Sequence, residues 1–427
     1  MIKKVVWVGL ALTLSVTLVS CARFRTLKKE VARIDASYYL GGKLSPESKT
    51  TKKVWVFVWE KHDNGVITVI DVDYLRTGGT FVFMLPPSDQ YYVGALEDAN
   101  DNERHDPGER LWIHGNPGPV TFKDGRSGML TIRLSEKVTF PEEDQHALSQ
   151  ARAGRSYLEL KGIGQVPIFM GETADLSDPK FSAELGEKGL WKPASFLNEI
   201  GLGVYFLSEY DARKIPVLFV YGAGGSPQNW KHIFKGLNDQ QYQKWFYHYP
   251  SGIRLERTSN ALNKIIQTLH KKYRFSNLYV VAHSMGGLVS RSFIIKNRLE
   301  AGNRYITKFV SISTPWNGHE AAAFGVKRAP AVIPSWIDMQ LNSPFIEDLL
   351  SHKIGDKLDY YLLFGFHGKG AAFLPASNDG TVSLASQLAP IAQREAKMQF
   401  GFDRNHMEIL SGDEVVETLE DILNIAP

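Results

Sequence analysis

The sequence predicts two folded parts in tandem: a small all-β sandwich, then a larger α/β domain built on a mostly parallel sheet covered by helices. Three observations carry this. Short β-rich runs of period two, punctuated by Gly, Pro, Asn and Asp, fill residues 51–137. From about residue 195 nearly continuous apolar runs alternate with helical patterns, and a strand apolar on both faces is one covered on both faces. The length of 427 residues, 43% of them hydrophobic, supplies cores for two or three domains.

Residues 1–20 read as an export signal. Lys3 and Lys4 give the charged start, and the apolar stretch from Val5 to Val19 is short for a spanning helix. It stops at Leu18-Val19-Ser20-Cys21, with small residues directly before the only cysteine. This resembles the lipobox of bacterial lipoproteins, which implies lipidation of Cys21, and Ala22 in the next position favours the outer membrane of the cell envelope. A single cysteine excludes an internal disulfide framework and a Cys-rich zinc site. With 49 basic against 46 acidic residues and no Lys/Arg run, nucleic acid is excluded as a partner. Without Lys3 and Lys4 the remainder is near neutral, so whole-chain charge gives no adhesion to anionic lipid. Membrane contact is expected through the acyl anchor.

Residues 21–50 are expected to form a tether. Phe24, Leu27, Val31, Ile34 and Tyr38 recur at helical spacing, with Lys28, Lys29 and Glu30 on the other face. The stretch from Gly41-Gly42-Lys43 to Lys53 is turn-rich. The β-sandwich at 51–137 follows, with runs Val54–Trp59, Ile67–Ile70, Phe81–Met84, Tyr91–Gly94 and Met129–Ile132. It loosely resembles the immunoglobulin-like and transthyretin-like modules of secreted proteins, where such domains space or bind. Inside it, Asp98, Asn100, Asn102 and Glu109 occupy positions 1, 3, 5 and 12 of a calcium-loop template. Glu103 stands where that template wants glycine, and a solvated hairpin loop explains the same composition. Whether the loop holds a metal stays open. Residues 138–194 read as a connection with the opening strands of the next domain.

The α/β domain, 195–427, has strands at Pro216–Tyr221, Trp245–Tyr249, Leu278–Ala282, Phe309–Ile312 and Tyr360–Phe364, with helical patterns at Ser259–Lys272, Gly286–Lys296 and Glu414–Asn424. The strand at 278–282 runs into Ala282-His283-Ser284-Met285-Gly286-Gly287 and then a helix. A turn that lifts a serine hydroxyl out of a sheet needs small residues two positions away on either side, and Ala282 and Gly286 meet that need. Serine attacks only when a base takes its proton and a carboxylate orients the base. In the order Ser, acid, His, the candidates are Asp379, in a turn after the strand at 360–364, and His406, in a loop past the last strand. Asp403 is the rival acid; His319, His352 and His367 come before Asp379 in the chain. The oxyanion donors are expected to be the backbone N–H groups of Met285 and of Ala223, the latter in the loop Tyr221-Gly222-Ala223-Gly224-Gly225-Ser226. That loop could also cradle phosphate, but neither the dinucleotide nor the Gly-Lys-Ser/Thr pattern is present.

Together with Ser313-Thr314-Pro315-Trp316-Asn317-Gly318 and Asn378-Asp379-Gly380-Thr381-Val382, these motifs resemble the α/β-hydrolase superfamily, in its lipase-like branch, over rather more than half of the chain. The resemblance implies Ser284, Asp379 and His406 as a catalytic triad, no required cofactor, and a lipid or small ester as substrate. Tyr221 departs from it, since many relatives have histidine there. In such relatives an insertion between Gly318 and Leu350 often caps the acyl pocket; a core helix is the equal alternative. The expected activity is ester cleavage through an acyl-enzyme. Acyl transfer by the same triad, or a non-enzymatic envelope-binding lipoprotein, are the alternatives.

Overall fold

The computed structural model describes residues 22–425 apart from 63, 76–78, 89, 103–105, 107, 116, 140–143, 145–165, 355–356 and 369–373. Residues 1–20, read above as an export signal, and Cys21 lie outside these. Among the described residues no helix is long and apolar enough to cross a membrane. The chain divides into two units. One holds Arg33–Met170 with Leu197–Leu202; the other holds the residues up to Ala32, Gly171–Phe196 and the chain from Gly203 onward.

Among its described residues the first unit is mainly β-strand. Its strands are β1 (Tyr38–Leu44), β2 (Lys53–Lys61), β3 (Ile67–Tyr74), β4 (Thr80–Leu85), β5 (Tyr91–Asp98), β6 (Leu111–Ile113) and β7 (Arg126–Ile132). They form two sheets, β4-β1-β7 and β3-β2-β5-β6. Leu40, Val56, Val58, Phe83 and Val93, drawn from both sheets, share one buried core. The opposite side of β2 carries Trp55, Phe57 and Trp59 into a second cluster with Val72 and Leu96. β2 is thus buried on both faces, because its period-two pattern alternates valine with aromatic residues rather than apolar with polar. β1 is a correction to the composition reading. Its Gly41 and Gly42 look like tether, yet the segment pairs antiparallel with β4 and parallel with β7. A Cβ on Gly42 would strike the Phe81 ring, so glycine there admits the ring.

In the second unit the helix α1 (residues 22–36) begins the described chain and runs across the boundary of the two units. Then come β8 (Ile168–Thr173), α2 (Ala183–Trp191), α3 (Pro193–Glu199), β9 (Leu202–Phe206), β10 (Ile215–Val220), α4 (Lys231–Gly236), β11 (Tyr242–His248) and α5 (Leu255–Tyr273). β12 (Leu278–His283), α6 (Met285–Ile295) and β13 (Ile306–Ile312) lead to three helices, α7 (Glu320–Arg328), α8 (Pro334–Met339) and α9 (Pro344–Ser351). β14 (Asp359–Gly365), α10 (Leu384–Gln387), α11 (Pro390–Glu395), β15 (Met398–Phe402) and α12 (Asp413–Asn424) complete it. Here the apolar runs read as buried strands are strands, with ends that differ by up to three residues.

The sheet has eight strands in the order β8-β9-β11-β10-β12-β13-β14-β15. β9 runs antiparallel to β11, and β11 through β15 are mutually parallel. The order exchanges β10 and β11, so the chain leaves β10 to one side and returns on its other side as β12. Loops at the C-terminal ends of such neighbours open a crevice where α/β sheets bind ligands. Val220 pairs with Ala282, which sets the loop after β10 beside the turn after β12. β13 takes Lys308 into the core, where its ammonium donates to the carbonyls of Ile422, Leu423 and Ile425 (2.6, 3.0 and 2.6 Å). The lysine caps the last turn of α12, satisfying carbonyls that the helix leaves over.

Candidate active site

Ser284 sits at the turn between β12 and α6 with φ 54° and ψ −133°, a strained backbone for a residue bearing a Cβ. The turn is held by the Ser284 amide donating to the Ile312 carbonyl (2.8 Å) and by glycines that let elements touch. A Cβ on Gly286 would strike the carbonyls of Val220 and Tyr221, and one on Gly287 the Thr314 side chain. That is why two glycines follow the serine. A Cβ on Gly222 would lie 2.7 Å from the Ser284 Cβ and 3.1 Å from its Oγ, so the loop after β10 reaches the hydroxyl only as glycine. Gly222→Ala is expected to displace the hydroxyl and lower kcat by up to about a hundredfold with little change in secondary structure. Steady-state kinetics on a short ester beside circular dichroism checks this; unchanged kcat would contradict it.

Asp379 and His406 meet. The His406 Nδ1 donates to Asp379 Oδ2 at 2.7 Å, and the His406 amide donates to the Asp379 carbonyl at 2.8 Å. The other carboxylate oxygen, Oδ1, accepts from the amides of Thr381 (3.0 Å) and Val382 (2.7 Å). Burial acts to raise the Asp379 pKa, but the hydrogen bond and charge of His406 and the two amides outweigh it and hold the carboxyl below its ordinary value. With Nδ1 donating to a carboxylate, Nε2 is the basic nitrogen. Among the described hydrogen bonds none joins Nε2 to the Ser284 hydroxyl. The rival acid is occupied elsewhere: Asp403 accepts from His367 at 2.8 Å.

In the loop after β10, the Gly224 amide donates to Ser251 Oγ (2.9 Å) and the Gly225 amide to the Gly222 carbonyl (3.1 Å). Among the described residues no acceptor takes the amides of Ala223 or Met285. Tyr221, where the family resemblance implies histidine, is buried and stacks on Tyr249 at 4.7 Å. Each donates to the other's backbone carbonyl, Tyr249 Oη to Tyr221 O (2.6 Å) and Tyr221 Oη to Tyr249 O (2.7 Å). The tyrosine thus anchors the base of the loop.

Three positioning residues are invisible to motif reading. His283 occupies the unconstrained place before Ser284, and its Nε2 donates to the His406 carbonyl at 2.8 Å, with the two rings 4.6 Å apart. It ties the His406 backbone to the serine turn. His319 caps α7, its Nδ1 accepting from the amides of Ala321 (3.1 Å) and Ala322 (3.3 Å). Burial, then the charge of His406, lowers its pKa. Ser251 holds the loop after β10. Residue type marks none of the three, since each acts through a backbone group: those met by His283 and Ser251 are brought close by the fold, and those met by His319 lie two and three residues along the chain.

Burial pushes His248 and His283 down to about 3, assisted at His283 by the charge of His406. Both start from an ordinary value of 6.5. Below that pH the unfolded chain binds a proton at each site that the folded chain refuses. The stability these two rings contribute is therefore full above pH 6.5 and falls as pH drops toward 3. Urea midpoints are expected to drop from pH 7 to pH 5, and less steeply in His283→Gln. A midpoint independent of pH over that window would contradict the burial of these neutral rings.

The described residues of the stretch from Asp98 to Glu109 hydrogen-bond to one another and to Trp55. Asp98 accepts from the Trp55 indole (3.1 Å), Asp106 from the amides of Asn100 (2.8 Å) and Asn102 (2.7 Å), and Glu109 from the backbone amides of Ala99 (2.8 Å) and Asp106 (2.9 Å). Among the described residues no group of three acidic, His or Cys side chains is placed to hold a metal.

The strand order, the strained serine turn at the end of β12, and a His–Asp pair from the loops after β15 and β14 define an α/β-hydrolase-like fold, lipase-like in its motifs. The lecithin:cholesterol acyltransferase family model matches residues 253–327, a stretch that includes Ser284 but neither Asp379 nor His406. Among solved structures, a Bacillus licheniformis lipase, BlEst2 in mature form, is 17% identical with a TM-score of 0.42, over 51% of this chain and 95% of that one. Aspergillus fumigatus lipase B is 15% identical with a TM-score of 0.38, over 51% and 55%. Legionella pneumophila phospholipase PlaB, in complex with thio-NAD, is 13% identical with a TM-score of 0.34, over 41% and 44%. The search of curated proteins finds no significant match.

Proposed function

We propose that the chain is a membrane-anchored serine hydrolase that cleaves carboxylic esters of lipids or small molecules through a Ser284–His406–Asp379 triad. The single observation that carries this is the 2.7 Å bond from His406 to a buried carboxylate, in a loop that His283 ties to the turn of a strained serine. In this reading His406 Nε2 takes the Ser284 proton as the hydroxyl oxygen attacks the ester carbonyl. The tetrahedral oxyanion accepts from the amides of Ala223 and Met285. His406 then protonates the leaving alcohol, and a water activated by the same nitrogen releases the acid from Ser284. These steps use side chains and amides alone, with no cofactor. Lipidation at Cys21 holds the enzyme in the cell envelope, at the outer membrane, and the immunoglobulin-like β-unit serves as a spacer or binding module.

A series of p-nitrophenyl esters of rising chain length, run on the parent and on Ser284→Ala, tests the reading. Hydrolysis by the parent with a chain-length optimum, absent from the variant, is expected; equal rates would refute it. The match to an acyltransferase family model favours a second reading, in which an alcohol replaces water in the last step. Product analysis with and without added acceptor separates the two: an ester product formed at the expense of free acid selects transfer.

A further inference from the structure

We propose that the outer face of α7 and the start of α1 form one docking surface for anionic lipid headgroups, so that the enzyme takes its ester from the same leaflet that holds its anchor. The proposal rests on the hydrolase reading and on lipidation of Cys21. Cys21 directly precedes Ala22, the first described residue of α1. This end of the helix is fixed to its own unit. Arg23 reaches Glu187 (3.3 Å), the Phe24 ring meets the edge of Trp191 (5.6 Å), and the buried Glu30 carboxylate accepts from the Ser195 amide and hydroxyl (2.7 Å each). Trp191 in turn meets Trp336 of α8 at 6.1 Å, and the Trp336 ring packs where Gly325 of α7 leaves room for it. A contiguous line of rings therefore joins the anchor's end of the chain to α7, whose cap is His319.

On α7 and the start of α1 the exposed charged residues are basic, while the exposed Glu187 of α2 is paired with Arg23. On α7, Phe324, Lys327 and Arg328 lie at helical spacings of three and four and are exposed. On α1, Arg25, Lys28 and Lys29 are exposed, while the only acid of its first turns, Glu30, faces inward. The near-neutral balance of the whole chain hides this local excess. Cations beside an aromatic ring and an acyl chain are what a surface needs to lie on an anionic bilayer, since one acyl chain alone binds only marginally.

The test is flotation of the acyl-free chain, residues 21–427 with Cys21→Ala, with phosphatidylcholine vesicles and with vesicles containing phosphatidylglycerol. The parent is expected to float with the anionic vesicles only, and Lys327→Glu with Arg328→Glu to weaken that binding at least about tenfold. Hydrolysis of a short soluble ester should stay within about twofold, because the substituted side chains are exposed. Equal flotation of parent and double variant, or equal binding to both vesicle types, would overturn the proposal. Failure of the parent to cleave any ester would instead remove the hydrolase reading, and flotation would still judge the surface.

Discussion

Replacing Asp379 with asparagine is expected to lower kcat by about 10^4-fold while the fold survives. The reason lies in how the carboxylate is held. Oδ1 accepts from the amides of Thr381 and Val382, so the only oxygen of an asparagine must take that position. Its NH2 group then points at His406 Nδ1, where the carboxylate now accepts at 2.7 Å. An NH2 donor needs a bare Nδ1, which moves the ring proton to Nε2. Nε2 would then be a donor, unable to take a proton from Ser284. KM should change little, because no substrate contact is lost. A kcat within tenfold of the parent would show that the Asp379–His406 pair is structural.

Ser284→Ala is expected to remove hydrolysis by a comparable or larger factor, leaving only what the oxyanion donors and binding supply. Stability should move by less than about 0.5 kcal/mol. The Oγ has no described hydrogen-bond partner, and the amide bond to Ile312 does not depend on the side chain. Alanine also keeps the Cβ, so the strain at φ 54° is common to both proteins. Esterase assay beside thermal melts checks both halves. Retained turnover would move the chemistry to another residue.

Much of the second unit is legible in the sequence because its strands are covered on both faces and so appear as unbroken apolar runs. The serine turn is legible for a similar reason: Gly286 and Gly287 are dictated by backbone contact with β10 and by Thr314. Asp379 and His406 follow from chain order, and their contact at 2.7 Å is a three-dimensional fact that order alone cannot give. β1 escapes sequence reading because its glycines pack under Phe81 and look like turn residues. The helices α7 to α9 had only an ambiguous pattern, since Ala322 and Gly325 face inward while Phe324 faces out. His283 and His319 were hidden because their partners are backbone groups, which carry no residue-type signal. At Asp98–Glu109 the template residues Asn100 and Asn102 donate to Asp106 and Glu109 accepts from the Asp106 amide, contacts that the ligand spacing alone does not reveal.

The most direct test of the triad is the rate at which a fluorophosphonate probe labels the parent and His406→Ala, read by intact mass and peptide mapping. Fast stoichiometric labelling of Ser284 in the parent, slowed at least about a hundredfold in the variant, is the expected result. Labelling of Ser284 at the same rate in both proteins, or on a different residue, would contradict the account.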